Sequence, residues 1–590
     1  MGGVTDSMNQ QRKWLGLLLA VIMLAGLIAG CGGKKNDGGG SGGNAGGGAS
    51  TSAGSGGSGS AGSGDAGGEL EPITFTFYSA DPSPNWQNMQ DAVGRAITAA
   101  TGVTLDAEFE VGDAAQKIAL IAASGDYPHL ISPKGDLGKL VEAGAMLDLT
   151  DLIEQHAPNI KKLFGDQIKR LRYSEEDPSI YVIPTYAEVG QTYFDAGGGF
   201  QLQHRVVKEL GYPRIRTVKD FENAIREYLK KHPTDENGNP NIGLSLNADD
   251  WRMYISVTNP AFYTTGGPDD GEYHIDIDTY EVTYHFRRPI EKEYFRWLNH
   301  MNAEGLLDNE SFVQKYDQYL AKIASGRVLG LIDQRWDFQE GENALKAEGK
   351  FEYGYGHYPV TLTEEFKETS FWPVGFSPGW GVGITVDNPD PVRAIKFLDF
   401  LASEEGQILD NWGIEGEHYV YENGKRVVPE AVLERKKNDP TGFQRESGIG
   451  LYHNLGAHYG DGVLDSTGNY YTTNFPEQIV ATYNDVEKET LAAYGATTWK
   501  DLFPSEKEFP VKPWGAAWNI QVPADSELNV LQERMKEITW RRIPQAILAP
   551  PEDFDRIWDE YQKELLAAGV ERMEDEYEKL VRARIRLWNE

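Results

Sequence analysis

Ile73-Thr-Phe-Thr-Phe-Tyr78 opens the segment that decides the fold. Ile73, Phe75 and Phe77 alternate with threonines, the period-two pattern of a strand with one buried face. The loop behind it, Ser79-Ala-Asp-Pro-Ser-Pro-Asn-Trp86, is dense in turn residues. Ala92, Ala96, Ile97 and Ala100 then fall at helical spacing and Gly102 closes the run. Val103 to Phe109 reads as a second strand, Ala114 to Ala123 as a second helix, and Leu130-Ile131 as a third, short strand. Strand, helix, strand, helix, strand at this spacing implies βαβ units and a parallel sheet, hence an α/β fold.

Downstream, Asp390 is a good N-cap with Pro391 at the first helical position. Ala394, Ile395, Phe397, Leu398 and Leu401 mark the buried face of that helix. Trp380, Val382, Ile384 and Val386 alternate as a strand, and Gly381 and Gly383 leave room for another backbone or a ligand to approach. Near the end, Phe554, Ile557, Trp558, Tyr561 and Leu565 predict a docked helix behind Pro550-Pro551.

Upstream, Arg12 and Lys13 precede the uncharged run Trp14 to Gly30, which ends Leu27-Ile28-Ala29-Gly30-Cys31. A basic region, an apolar region and small residues describe a signal peptide over residues 1–30. The small residues before Cys31 resemble the bacterial lipobox, which implies a diacylated thiol at the new N-terminus. The alternative is an uncleaved anchor at the short limit for spanning a bilayer. Cys31 is the only cysteine, so no disulfide framework, zinc cluster or cysteine nucleophile is available. Residues 32–68 are almost wholly Gly, Ser, Ala and Thr, a tether with a reach on the order of 35 Å. With 56 basic against 90 acidic residues the net charge is −34, which argues against nucleic acid as a partner.

Several motifs then carry a resemblance. Ser124-Gly-Asp-Tyr-Pro-His-Leu-Ile131, followed by Leu140-Val-Glu-Ala-Gly-Ala-Met-Leu-Asp-Leu-Thr-Asp-Leu152 and Leu152-Ile-Glu-Gln-His-Ala-Pro-Asn-Ile160, resembles extracellular solute-binding lipoproteins of carbohydrate ABC importers. That family shows "ASGDxPDI", "GxLxPL" and "LIxxxAPNI" in this order, and His129 stands where its aspartate is usual. Tyr181-Val-Ile-Pro184, Arg205 to Thr217, Ser325 to Trp336, Gly381 to Leu401 and Trp412-Gly-Ile-Glu-Gly-Glu-His-Tyr419 continue the likeness, and Phe554 to Tyr561 returns to it. The stretch 439–513 matches less clearly.

The resemblance implies a two-lobed periplasmic-binding-protein-like fold of type II, with a ligand cleft between lobes joined by three crossings. The first lobe would take residues 69–184 and 381–470, the second 185–380 and 471–590. It further implies a monomeric binding protein, not an enzyme, that captures an oligosaccharide by hinge closure. The liganded protein would meet ABC permease subunits at the outer face of the membrane, held there through Cys31. Two other readings stay open: a sensor lipoprotein presenting its solute to a membrane receptor kinase, and a surface glycoside hydrolase with two carboxylates across a cleft.

Open α/β sheets bind ligands beyond the carboxyl ends of their strands. Tyr78 and Asp81 follow the first strand, Lys134 and Asp136 the third, and Trp336 ends an apolar strand. These, with Trp251, Trp380, Trp412, Trp514 and Trp518, are the candidate ligand residues, each either cleft or core. Asp235, Asn237, Asn239 and Asn241 offer oxygens at the alternating positions of a calcium loop, but Gly243 and Leu244 replace its closing acids. The choice there is an Asn/Gly turn or a structural calcium completed by Asp249 or Asp250; no other cofactor is called for. Gly375-Phe-Ser-Pro-Gly379 fits G-x-S-x-G, yet Pro378 has no N–H to give an oxyanion. Glu415, Glu417 and His418 suggest acid–base chemistry, but the resemblance makes their loop structural, with a glutamate bonded to backbone.

Overall fold

The computed structural model describes residues 71–523 and 525–589. The expected signal peptide, the expected lipidation at Cys31 and the expected tether lie outside the described residues. From Glu69 onward the chain is one compact unit.

Two sheets organise it. The first has five strands in the order β2-β1-β3-β11-β4, namely β2 (Val103–Phe109), β1 (Ile73–Ser79), β3 (Leu130–Ser132), β11 (Gly381–Ile384) and β4 (Ile183–Pro184). β1 pairs parallel with β2 and β3, as the βαβ reading requires. β11 enters antiparallel between β3 and β4 after a long excursion through the second sheet. A Cβ on Gly381 would lie 2.0 Å from the Ile183 carbonyl oxygen, so it is a neighbouring backbone that needs this glycine. The helix Ala92–Thr101 ends on Gly102 at φ 67°, and Asp390 caps Pro391–Leu401 by accepting from Arg393 N at 3.0 Å. At His129, Nδ1 accepts from Thr76 N at 3.1 Å, while the residue's backbone N–H donates to Thr76 Oγ1 at 2.9 Å. The histidine therefore ties the turn to β1 where a carboxylate is usual in the family.

The second sheet runs β10-β5-β9-β6: β10 (Tyr355–Tyr358), β5 (Gly198–Gln203), β9 (Val328–Gln334) and β6 (Ile242–Ser245). Small hairpins, β7 (Tyr273–Ile275) with β8 (Val282–Tyr284) and β12 (Val420–Glu422) with β13 (Lys425–Val427), decorate the body.

Each sheet has its own core. One gathers Phe75, Phe77, Ile97, Leu130, Ile183, Val382 and Phe397, and the other Phe200, Leu244, Trp297, Leu329 and Trp514. The second core is completed from the chain's end by the helices Glu527–Leu548, Phe554–Ala568 and Val570–Asn589. Phe554, Ile557, Trp558, Tyr561 and Leu565 are all buried, as their spacing predicts. The last helix was not anticipated; Gly569 at φ 96° ends its predecessor and lets the chain turn into it.

The chain passes from the first sheet to the second after β4, returns between β10 and β11, and leaves again beyond Ala457, which still packs in the first core. The first and third passages run side by side: Val189 N donates to His458 O at 3.2 Å and Gly460 N to Val189 O at 2.9 Å.

Candidate functional site

In both sheets the residues just past the carboxyl ends of parallel strands turn toward one place. After β1, β3 and β4 come Asp81, Lys134 and Tyr186; Trp380 immediately precedes β11. After β6 and β9 come Trp251 and Trp336. Trp336 opens the helix Arg335–Ala347 and does not belong to the strand. The strand pattern breaks at Gln334, and the ring sits on the helix's first turn.

Lys134 holds the cluster together. Its Nζ is 2.5 Å from Asp81 Oδ1 and lies over the rings of Trp380, Tyr186 and Trp251 at 4.9, 5.4 and 5.8 Å from their centroids. Cations within about 6 Å of an aromatic centroid are attracted by the ring quadrupole. Tyr186 donates its hydroxyl to the other oxygen of Asp81. Burial first, then the Asp81 charge, raises the Tyr186 phenol far above its usual range, so it stays a donor. Lys134 adopts φ 51° and Asp250 φ 50°. Such left-handed non-glycine residues cost roughly 1–3 kcal/mol and persist where their surroundings over-determine them.

On the facing side Trp251 and Trp336 stack with centroids 5.8 Å apart at 24°, and they keep 37% and 55% of their surface exposed. Trp380 and Trp518 form a second pair at 4.6 Å, with Trp518 43% exposed. The indole N–H of Trp380 has no hydrogen-bond partner. The cleft is thus two aromatic platforms separated by one lysine–carboxylate–phenol cluster. Three cations beside it are paired: Lys134 with Asp81, Arg252 with Asp337 at 2.8 Å and Asp250 at 3.1 Å, and Arg335 with Glu342 at 3.5 Å.

Not every candidate from the sequence reaches this place. Trp336, Trp251, Trp380, Trp518, Asp81 and Lys134 do. Tyr78 is 1% exposed and gives its hydroxyl to Glu110 at 3.0 Å on the far side of β1. Asp136 pairs with Lys139 at 2.6 Å. Trp412 is buried with its indole N–H on the carbonyls of Tyr470 and Tyr471, and Trp514 is buried with its N–H on Asp270 at 2.9 Å. These two are core residues, each with its polar atom satisfied internally. Tyr186 escaped the sequence reading, although its place two residues after Pro184, at the start of the first passage, was a usable signal.

The remaining motifs resolve locally. Asp235 accepts from Asn237 N at 2.9 Å, Asn239 N at 2.7 Å and Asn239 Nδ2 at 3.0 Å, so the one carboxylate at the alternating positions folds its own turn. Asn241 donates to the His232 carbonyl. Asp249 serves Lys315 and Tyr316 N, and Asp250 serves Arg252, so neither closes the loop. Asn241 Oδ1 is buried with no hydrogen-bond partner, so the loop keeps one oxygen of its donor set free. Ser377 is buried with its Oγ accepting from Ala516 N at 2.7 Å, the posture of a structural serine. In the 412–419 loop it is His418, through Nδ1 accepting from Ile414 N at 3.0 Å, that bonds to backbone. The expected glutamate does not take that part.

Comparison with known proteins places this architecture. The fructooligosaccharide ABC transporter substrate-binding protein FusA of Streptococcus pneumoniae is 23% identical over 263 residues, 43% of this chain. That match spans about half, 48%, of the relative's own length. Lipoprotein LipO of Bacillus subtilis is 20% identical over 434 residues, 70% of this chain and 75% of LipO. Among solved structures, the S. pneumoniae FusA EF-hand mutant in complex with fructo-nystose superposes with a TM-score of 0.59 at 18% identity, over 86% of this chain and 99% of that one. Such a likeness establishes the two-lobed, periplasmic-binding-protein-like fold. The sequence profile described as bacterial extracellular solute-binding protein matches residues 92–412, more than half of the chain's 590 residues. The protein belongs to that extracellular solute-binding family.

Proposed function

We propose that the protein captures a neutral oligosaccharide in the aromatic cleft and delivers it to an ABC transporter permease, without breaking a bond in the sugar. The observation that carries this is the pair of part-exposed indole platforms flanking a lysine whose charge is already neutralised. Flat aromatic faces suit the C–H faces of pyranose and furanose rings, while Asp81, Lys134 and Tyr186 supply donors and acceptors for hydroxyls. Lys134, Arg252 and Arg335 each already have a carboxylate, which favours a neutral ligand over an acidic one at these three positions.

The moving bodies in this reading are residues 69–184 with 381–470, and residues 185–380 with 471–590. Contacts such as Lys134 over Trp251 and Thr441 Oγ1 to Glu340 Oε2 at 3.1 Å run between these bodies. A ligand that adds further contacts of this kind favours the closed state by the difference in affinity between the two states. Signal-peptide cleavage and diacylation of Cys31 would hold the body at the outer face of the membrane.

A thermal-shift screen tests the reading. Neutral fructo-, gluco- and manno-oligosaccharides are compared with uronate oligomers at matched concentration. A ligand at a hundredfold its dissociation constant adds about 2.7 kcal/mol of stability. A shift with a neutral sugar that is recovered intact is the expected result. A shift with uronates alone, or recovery of cleaved sugar, contradicts it.

A further inference from the structure

The two passages that run side by side between the sheets carry a cluster that the sugar cleft does not use. Glu188 lies on the first passage, and His453 and His458 lead into and lie on the third. Each offers one ligand atom, and the three atoms lie within 4.8 Å of one another. His458 is 3% exposed, and its Nε2 is 3.0 Å from the Thr185 carbonyl oxygen. A carbonyl only accepts, so Nε2 carries the proton and Nδ1 carries the lone pair. That Nδ1 is buried and has no hydrogen-bond partner. A ring N–H fixed on a backbone carbonyl, with the other nitrogen free, is the usual arrangement of a metal-ligating histidine.

The charge balance points the same way. Asp410 Oδ2 is 3.6 Å from His453 Nδ1, and Asp461 is held nearby by Thr472 Oγ1 at 2.7 Å and Gln191 Nε2 at 3.2 Å. The charged side chains acting on Glu188 are His453 and Asp461, and the one acting on His458 is His453. No lysine or arginine is among them. Three carboxylates therefore converge on an imidazole pair, its rings 3.8 Å apart at 34°, with no fixed cation.

We propose that Glu188, His453 and His458 form a site for a divalent transition-metal ion of the zinc type, which ties the first passage to the third. Two imidazoles and one carboxylate suit zinc, cobalt or nickel better than oxygen-preferring calcium. Bond lengths of about 2.0–2.2 Å require the ligand atoms to draw together and the two rings to fan apart, a side-chain adjustment. The site is distinct from the Asp235 loop, and it stands or falls independently of the sugar.

The test starts from protein stripped with a chelator and dialysed. It is titrated with Zn²⁺ by calorimetry and with Co²⁺ by visible absorption, with Ca²⁺ as a control. The expected result is one equivalent of Zn²⁺, a higher Tm in its presence, d–d bands from Co²⁺ and no competition by Ca²⁺. Glu188→Gln and His453→Gln should each weaken Zn²⁺ binding at least tenfold while leaving the metal-free Tm near that of the wild type. Absence of stoichiometric binding by Zn²⁺, Co²⁺ and Ni²⁺ overturns the proposal. So does binding that both variants retain, which would place the ion on other histidines. Sugar titrations with the chelator present separate this outcome from any failure of the oligosaccharide reading.

Discussion

Trp514 has no exposed surface, while Trp336 keeps 55% of its own, although both stand at the second sheet's side of the molecule. Trp514 gives its N–H to Asp270 and is packed into the second core, whereas Trp336 touches solvent and one stacked neighbour, Trp251. The carboxylates divide by exposure as well. Glu368 is 4% exposed, while the Asp81 side chain keeps 21% of its surface open in the cleft although a lysine and a phenol meet it. The difference teaches that residue type does not separate scaffold from site here. What separates them is whether the protein itself covers the side chain's surface.

Substitutions should pull the two classes apart. The largest effect belongs to Trp514→Ala, which removes a buried ring and leaves Asp270 short of a donor. It should cost about 3–5 kcal/mol of stability, read by denaturant unfolding, while the folded fraction binds sugar normally.

Glu368→Gln acts on pH dependence. Burial raises the Glu368 carboxyl from 4.5 to about 7, against the opposing pull of its bonds to Ser370. Between those values the native state holds a proton that the unfolded chain releases, so this group makes stability fall as pH rises through that window. The variant should flatten that fall by up to roughly 3 kcal/mol between pH 4.5 and 8. An unchanged slope would mean that Glu368 is hydrated in solution.

Trp336→Ala should do the reverse of Trp514→Ala. Its Tm without sugar should stay within about 1 °C of the wild type, since exposed substitutions are usually within about 0.5 kcal/mol. Affinity for a neutral oligosaccharide should fall roughly tenfold to a hundredfold. If the Tm drops as it does for Trp514→Ala, the two tryptophans belong to one class and the contrast fails.

Much of the scaffold was legible because its signals are local. Alternation over Ile73–Phe77, a glycine at position 102 and helical spacing over Phe554–Leu565 each act within a few residues, and all three elements form where expected. The site was legible only by half, because exposure is decided by contacts distant in sequence. Trp412 was a ligand candidate like Trp336, but the carbonyls of Tyr470 and Tyr471 take its N–H inside the core. Tyr186 carried no mark of its own, and only Asp81, from a different strand end, gives it a place in the site. Glu188, His453 and His458 share no local pattern, and only the pairing of two passages brings them together. The Asp235 loop shows the converse: its spacing is that of a calcium loop, yet the carboxylate at its first position already accepts from its own amides.

The most direct test of the central claim is calorimetric titration of the 69–590 unit and of its Trp251→Ala/Trp336→Ala variant with a neutral oligosaccharide and with a uronate of equal length. The account predicts one equivalent of the neutral sugar bound and recovered intact, little or no binding of the uronate, and at least a tenfold weaker double variant. Equal binding by the variant, or preference for the uronate, would contradict it.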